Sequence, residues 1–228
     1  MNRLLLVICC GLVLAAGCGK LGNPNVVGLD LLHGVAWPSA KAELEQLGFR
    51  VVLLQTNADF RDHQRLGVLI ILTDEPGATK PLGEKRATAI VDFVRMGGGL
   101  LCAGEAWSWT AEGGAARSLE DFSLNVLGRH LGFTVLDRTT RDPRNISPSL
   151  LGGLDGIKRT DWWASEIRAT AEGAEPLITD EELRPMAVRF PYGRGRVVVV
   201  AHRELLRENP DVLRNILLYL SGLDEHVL

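Results

Sequence analysis

The chain has 228 residues, of which 46% are hydrophobic and 23% charged, and its formal net charge is −3. This hydrophobic content excludes a disordered chain, and the length suits one large domain. The slightly acidic balance argues against a general nucleic-acid binder, which needs a basic face, so we expect no nucleic-acid partner. The four cysteines are compatible with a disulfide, a metal site or a nucleophile, so their positions decide what they mean.

The amino terminus has the pattern of an export signal. Arg3 precedes the apolar run Leu4–Ala16, whose 13 residues are too few to cross a bilayer, which needs about 20 helical residues. Such a run is typical of the core of a secretory signal peptide. Its end, Ala15-Ala16-Gly17-Cys18, resembles the lipobox of bacterial lipoproteins.

That resemblance implies that residues 1–17 are a lipoprotein signal peptide and that Cys18 carries the lipid chains, palmitate among them, that anchor the protein to a membrane. Gly19 after the cysteine indicates the outer membrane, on its periplasmic side, if the cell is Gram-negative. An ordinary signal peptide and an N-terminal membrane anchor are the alternatives.

On this interpretation residues 18–25 form a short tether and residues 26–228 form one folded domain. Cys9 and Cys10 leave with the signal peptide and Cys18 is acylated, so Cys102 is the single thiol of the domain. A disulfide within the domain and a cysteine-based zinc site are therefore excluded. We expect no metal and no cofactor.

The domain alternates short β-branched runs with helical patterns, which is typical of a parallel sheet covered by helices on both faces. In chain order, strands are predicted at 26–32, 50–55, 68–73 and 100–103, and helices at about 38–47, 84–96 and 119–131. Residues 137–160 break the pattern as a loop-rich insertion. Antiparallel edge strands at 167–171 and 186–190, a buried strand at 196–201 and a helix after Asn209 complete the chain. These elements predict a three-layer α/β fold with a doubly wound, mostly parallel sheet.

Two segments resemble the class I glutamine-amidotransferase-like superfamily. The first is VDFVRMGGGLL, residues 91–101, with Trp107 after it; the second is YGRGRVVVVAH, residues 192–202, followed by the last helix. The nearest resemblance is to the non-enzymatic versions in TRP channel-associated factors and trehalose-utilisation-type proteins. The resemblance implies a flavodoxin-like domain over about residues 26–221, and it indicates a fold better than a function.

Active members of that superfamily use a cysteine on a sharp turn after a strand and a His-x-Glu pair after a later strand. Cys102, His202 and Glu204 are the candidates for these catalytic roles. His202 and Glu204 follow the buried strand as the pattern requires. Cys102, however, falls within the strand predicted at 100–103, so a buried core cysteine is the competing interpretation. Glu105 with His202 as a metal site is a further alternative that no ligand spacing supports.

Polar and aromatic side chains follow several predicted strands, and strand ends are where doubly wound sheets bind ligands. The predicted ligand crevice is lined by His33, Trp37, Asp74, Glu105 and Trp107 beside His202. Each has a structural alternative, because tryptophans commonly anchor loops and histidines at strand ends are often only hydrogen-bonded. Trp162-Trp163 is predicted to mark an exposed contact surface.

The favoured hypothesis is a lipid-anchored protein of the bacterial cell envelope whose domain binds or scaffolds without catalysis. Its expected partners are the membrane, through the lipid on Cys18, and a carbohydrate, a peptide or another envelope protein. The alternative is a hydrolase acting on an amide bond through Cys102, His202 and Glu204. A third possibility is a domain that only tethers a larger complex.

Overall fold

The computed structural model describes residues 22–34, 36–56, 65–73, 82–112, 117–148, 157 and 163–223. Within them, an eight-stranded sheet has the order β2-β1-β3-β4-β10-β9-β8-β6, and a separate two-stranded sheet pairs β5 with β7. The strands are β1 Asn23–Asp30, β2 Arg50–Leu54, β3 Leu66–Leu72, β4 Gly99–Ala103, β5 Phe133–Thr140, β6 Asn145–Ile146, β7 Ala164–Ala169, β8 Glu175–Thr179, β9 Pro185–Tyr192 and β10 Gly195–Val200. The helices are α1 Ala40–Gln46, α2 Glu84–Arg95, α3 Ala106–Glu112, α4 Ser123–Leu131, α5 Arg203–Glu208 and α6 Pro210–Ser221.

One half of the large sheet is parallel. β1 lies between β2 and β3, and β4 joins β3 to β10, all in parallel register. β3 and β4 are buried along their whole length, as expected for parallel strands covered by helices on both faces. The carboxyl ends of these five strands therefore lie along one edge of the sheet, which we call the carboxyl edge.

The other half is antiparallel. β9 pairs with β10 and β8, and β8 also pairs with the two-residue strand β6. β9 is thus an inner strand of the sheet and not the edge strand predicted for 186–190. The segment predicted as an edge strand at 167–171 is β7, which pairs with β5 in the separate sheet.

The large sheet separates two hydrophobic cores, because alternate residues of a strand point to opposite faces. Leu100 and Cys102 of β4 belong to the core beneath α2 and α4, together with β5 and β7. Leu101 and Ala103 belong to the core beneath α1, α5 and α6. The mixed α/β architecture with a mostly parallel central sheet, predicted from the alternating pattern, is confirmed.

Two glycine-rich motifs meet where α2 ends and β10 begins. A Cβ atom on Gly195 would collide with the carbonyl oxygens of Val94 and Gly98, and Gly193 adopts a φ of 59° in the β9–β10 turn. A side chain at Gly195 would push the helix off the strand, so the close approach requires a residue without a Cβ. The glycines of the segments that carried the family resemblance are therefore packing residues at the edge opposite the carboxyl edge.

Several boundaries differ from the sequence prediction. β1 begins at Asn23, so residues 23–25 of the predicted tether belong to the sheet; residues 1–17 and the remainder of the tether up to residue 21 lie outside the described residues. β5 extends to Thr140, into the predicted insertion. The prediction missed β6, β8 and the short helices α3 and α5. Within the described ranges, no helix is long and apolar enough to span a membrane.

Candidate functional site at the carboxyl edge

Two strand-to-helix turns meet at the centre of the carboxyl edge. Glu105 follows β4 and immediately precedes α3, while His202 follows β10 and precedes α5. β4 and β10 are neighbours in parallel register, with Ala103 opposite Val200. The register of these two strands therefore places the glutamate and the histidine side by side.

Glu105 is a buried carboxylate held against His202. Its Oε1 lies 2.9 Å from Nδ1 of His202 and accepts a hydrogen bond of 3.0 Å from the backbone N–H of Arg203. The carboxylate therefore lies at ion-pairing distance from the imidazole, and its hydrogen bond from Arg203 satisfies a backbone donor in the first turn of α5. Glu105 thus fastens the end of β4 to the start of α5.

Glu204 does not have the role that the sequence predicted for it. Its carboxylate pairs with Arg203 at 3.2 Å and with Arg207 at 2.6 Å, on the surface of α5. The acidic partner of His202 is Glu105, which lies far away in sequence. The predicted His-x-Glu orientation is therefore replaced by a contact between two strand ends.

Cys102 does not meet the requirements of a nucleophile. The residue is 0% exposed and is the fourth of the five residues of β4, with its neighbours in the α2–α4 core. Burial raises the pKa of its thiol far above the usual range, which suppresses the reactive thiolate. Two residues separate Cys102 from Glu105, and Glu105 is the residue that lies at the turn. The alternative of a hydrolase that uses Cys102 is thereby contradicted.

A second buried cluster lies at the end of β1, where the strand order reverses between β1 and β3. Oδ2 of Asp30 lies 3.2 Å from Nδ1 of His33 and accepts a 3.0 Å hydrogen bond from Arg86 of α2. Oδ1 accepts backbone N–H groups of Leu32 and His33 at 2.9 and 3.0 Å. The predicted crevice residue His33 is therefore buried within an ion cluster that joins β1 to α2.

The environment of Asp30 favours its charged form. Burial by itself would raise the pKa of Asp30, but the hydrogen bonds and charge of His33 and the charge of Arg86 outweigh it, so the pKa lies below the usual value. Above the pKa of an unfolded aspartate, the charged carboxylate contributes its full stabilisation to the fold. As the pH falls through the lower pKa of the folded state, Asp30 is protonated and this stabilisation is lost. The cluster is a structural tie at neutral pH.

The other predicted crevice residues lie in different surroundings. Trp37 is buried in the core beneath α1 and donates from Nε1 to Glu43 at 2.7 Å, so it is a packing residue and does not line a crevice. Trp107 is half-buried, and its Nε1 donates to the carbonyl oxygen of Trp163 at 2.8 Å. Asp74 lies outside the described residues.

Trp163 is the prominent aromatic residue on the surface near this edge. It is 45% exposed, and the guanidinium of Arg141 lies 3.1 Å from its ring centroid. Its backbone carbonyl binds Trp107, which links it to α3 and hence to Glu105. Trp163 is therefore exposed, Trp162 lies outside the described residues, and a contact surface here stays a prediction.

The edge has few features of a catalytic or metal centre. Across the part of the chain that the structure describes, no group of three His, Cys, Asp or Glu side chains is arranged to hold a metal ion. Each of the buried carboxylates Asp30 and Glu105 lies beside a histidine; Asp30 accepts two backbone N–H groups and Glu105 accepts one. Their hydrogen bonds connect strand ends to the loops and helices that follow.

Sequence comparison relates the chain to channel-associated factors. Residues 78–149, which include α2, β4, α3, α4 and β5, match the family model described as TRPM8, N-terminal domain. TRPM8 channel-associated factor 2 of Homo sapiens is 30% identical over 173 residues, which are 63% of this chain and 19% of that protein. The same factor of Bos taurus is 28% identical over 161 residues, or 58% of this chain and 18% of that protein.

A homolog of these factors from Danio rerio is 30% identical over 141 residues, or 52% of this chain and 16% of that protein. The chain thus spans under a fifth of the length of these relatives. The resemblance to TRP channel-associated factors predicted from the glycine motifs is confirmed. A glutamine-amidotransferase-like domain is not identified by these matches.

Two solved structures share the fold. Cytoplasmic Protein STM3548 from Salmonella typhimurium is 14% identical, with a TM-score of 0.56 over 87% of this chain and 97% of that one. Cytoplasmic Protein STM1381 from Salmonella typhimurium LT2 is 15% identical, with a TM-score of 0.54 over 86% and 98%. At such identities the likeness concerns the architecture alone.

The relatives overturn the prediction of a lipid-anchored protein of the bacterial cell envelope. The proteins that resemble this chain are TRPM8 channel-associated factors of vertebrates, and their similarity extends over as many as 173 residues. The lipoprotein hypothesis depended on Arg3, the apolar run Leu4–Ala16 and the motif Ala15–Cys18, all of which lie outside the described ranges. The predicted outer-membrane and periplasmic location is wrong with it, and carbohydrate and envelope-protein partners gain no support.

The burial of Cys102 predicts its reactivity. In the native chain at pH 8, alkylation of Cys102 by iodoacetamide should be about 100-fold slower than in the denatured chain, because the thiol is inaccessible and its pKa is raised. Mass spectrometry of the peptide that contains Cys102 distinguishes it from the other cysteines. The variant His202→Ala should be labelled as slowly; rapid native labelling that depends on His202 would contradict this assignment.

The two glutamates near His202 should differ in their effect on stability. Glu105→Gln leaves buried polar groups imperfectly paired and should lower the free energy of unfolding by about 1–3 kcal/mol. Glu204→Gln removes pairs on the surface of α5 and should cost less than about 1 kcal/mol. Urea unfolding at pH 7 measures both variants. Equal costs, or a larger cost for Glu204→Gln, would show that Glu105 is not the partner that holds this edge together.

Proposed function

We propose that this chain forms a protein-binding domain that associates with an ion channel, as its relatives' names describe for them. The observation that carries the proposal is the similarity to TRPM8 channel-associated factors over 140 or more residues in several species. The matched region, residues 78–149, builds the layer formed by α2, α3, α4 and β5. We expect the channel-associated proteins to contain the same structural layer.

The geometry of the carboxyl edge supports binding in preference to catalysis. At the turn after β4, where an elbow nucleophile would lie, the chain has Glu105, whose Oε1 is bound to the Arg203 backbone and lies against His202. Cys102 is enclosed in the core. An activated nucleophile needs an accessible group beside its base, and Cys102 does not provide one.

Trp163 and Arg141 supply the anchors of the proposed contact surface. Tryptophan and arginine are enriched among the residues that dominate the energy of protein interfaces. The stacked arginine limits the rotational freedom of both side chains before a partner arrives, which reduces the entropy lost on binding. The link from Trp163 to Trp107 and α3 holds this surface on the matched layer.

We also infer that the parallel half is flavodoxin-like and that the domain is of the glutamine-amidotransferase-like type. The order β2-β1-β3-β4-β10 corresponds to the 2-1-3-4-5 order of flavodoxin-like sheets when β10 is counted as the fifth parallel strand. The Asp30 cluster then lies at the topological switch point between β1 and β3. This assignment concerns the architecture and adds no activity to the proposal.

Binding to a TRPM8 channel tests the function directly. The purified full chain should bind the human channel, immobilised in lipid nanodiscs, in biolayer interferometry. Trp163→Ala should weaken this binding about tenfold or more, because an anchor residue contributes at least about 2 kcal/mol at a protein interface.

Leu223→Ala is the matched control. Leu223 is 44% exposed, nearly the same as Trp163, but it follows α6 away from the carboxyl edge. This variant should bind within about twofold of the natural chain. Absence of binding by the natural chain would overturn the proposed function, and equal losses in both variants would remove Trp163 from the interface.

A further inference from the structure

A cavity of about 270 Å³ opens at the carboxyl edge beyond the parallel strands. It lies between the end of β5 and the β8–β9 turn, and Arg141 connects it to the exposed ring of Trp163. Clefts that hold drug-sized ligands are generally larger, at about 300–1,000 Å³. The volume suits a single long side chain. Its lining residues are Thr139, Arg141, Asp142, Asp180, Glu181, Glu182 and Arg184.

The carboxylate of Asp180 shapes the turn, and its oxygens are occupied by hydrogen bonds within the turn. Its buried carboxylate accepts the backbone N–H groups of Glu182 and Arg184 at 3.0 and 2.8 Å, and Nε of Arg184 at 2.6 Å. Arg184 also pairs with Glu182 at 2.9 Å. These hydrogen bonds hold the turn in shape, and Glu181 and Leu183 are exposed on it.

Two residues beside the cavity have unfavourable backbone conformations. Leu183 and Asp142, with φ of 61° and 54°, are the non-glycine residues of positive φ in the described ranges. Leu183 is also 69% exposed, so this strained conformation presents a large apolar side chain to solvent. Burial of the leucine in the core cannot account for either property, whereas contact with a partner accounts for the exposed side chain.

The charge of the cavity is unbalanced. Its lining has four carboxylates against two guanidinium groups. Arg184 is committed to Asp180 and Glu182, and Arg141 lies over Trp163. Among the residues that the structure describes, no cation pairs with Asp142 or Glu181. A positively charged group entering the cavity would therefore meet two carboxylates without displacing an existing ion pair.

We propose that this cavity receives a lysine or arginine side chain of a protein partner, while Leu183 and Trp163 contact apolar residues beside that basic residue. The proposal rests on the proposed function, because it identifies the chemistry by which the channel or another partner protein is recognised. Charge complementarity favours a basic side chain, and the exposed leucine and tryptophan favour a polypeptide over a free cation.

Neutral variants of the free carboxylates test the proposal on the channel. Asp142→Asn with Glu181→Gln should weaken binding to the TRPM8 channel by about tenfold, since both partner contacts lose their charge. Asparagine is chosen because it tolerates the positive φ of Asp142. Glu172→Gln, an exposed glutamate before the opposite end of β8, should leave binding within about twofold.

A substitution at Leu183 separates binding from folding. Leu183→Gly relieves the backbone strain and should raise Tm while it weakens binding, because glycine adopts positive φ freely and lacks the side chain. A variant that is more thermostable but binds less well cannot owe its defect to misfolding. Unchanged binding in Leu183→Gly would remove this residue from the contact.

Peptide titrations followed by NMR test the cavity independently of the channel. The capped peptide Gly-Leu-Lys-Leu-Gly should shift the amide resonances of 139–142 and 180–184 in the full chain, and its counterpart with Gln for Lys should not. Equal shifts from both peptides, or none from either, would overturn the basic-residue proposal. If the natural chain binds the channel but the carboxylate variants bind equally well, the proposed function stands and this proposal fails. If the lysine peptide binds while the channel does not, the channel assignment fails and the cavity proposal stands.

Discussion

The carboxylate of Glu105 is the contact on which the carboxyl edge depends. It lies at the turn where β4 passes into α3, and it holds both the imidazole of His202 and the first turn of α5. Without this carboxylate, the imidazole of His202 and the backbone N–H of Arg203 would be buried without their partner, which costs free energy. The contact therefore stabilises the two strand ends and α5 together. A single side chain thereby joins two adjacent strands, two helices and the loops between them.

The same contact determines what the edge can do. Because a glutamate occupies the turn and the thiol of Cys102 faces the core, the strand ends hold an oriented histidine without a nucleophile of the predicted kind. Trp107, in the helix that follows Glu105, donates to the carbonyl oxygen of Trp163, whose ring lies beside Arg141 and the charged cavity. An edge that is rigid at its centre and apolar and charged at its rim is suited to recognising another protein.

Much of the fold follows from sequence patterns that have a direct physical cause. The apolar runs of β3 and β4 and the buried stripes of α2 and α6 mark elements that are covered on known faces, so their positions were predicted to within a few residues. Two strands of the large sheet were missed. β6 has only two residues, and β8 has the sequence EPLIT, which is short and begins with polar and proline residues. Its place depends on pairing with β9, a long-range contact that local patterns do not encode.

The site was only partly predictable for the same reason. Glu105 and His202 were recognised because each follows a buried strand, but the partner of His202 was assigned to Glu204, its neighbour in sequence, when pairing across β4 and β10 selects Glu105. The Asp30 cluster was missed. Asp30 ends an apolar strand and Arg86 lies in the first turn of α2, and a charged residue in or directly after a buried element is the sequence signal that could have indicated this cluster. The function inferred from residues 1–18 failed because a short signal-like segment carries less information than similarity over 173 residues.

Hydrogen–deuterium exchange of the full chain, with and without a TRPM8 channel in nanodiscs, tests the central claim that the carboxyl edge is a protein-binding surface. The account predicts that the channel slows exchange in residues 139–146 and 180–186, while the turns at 170–174 and 192–195, at the opposite edge of the sheet, exchange as in the free chain. Protection confined to those opposite turns, or no protection at any position, would contradict it.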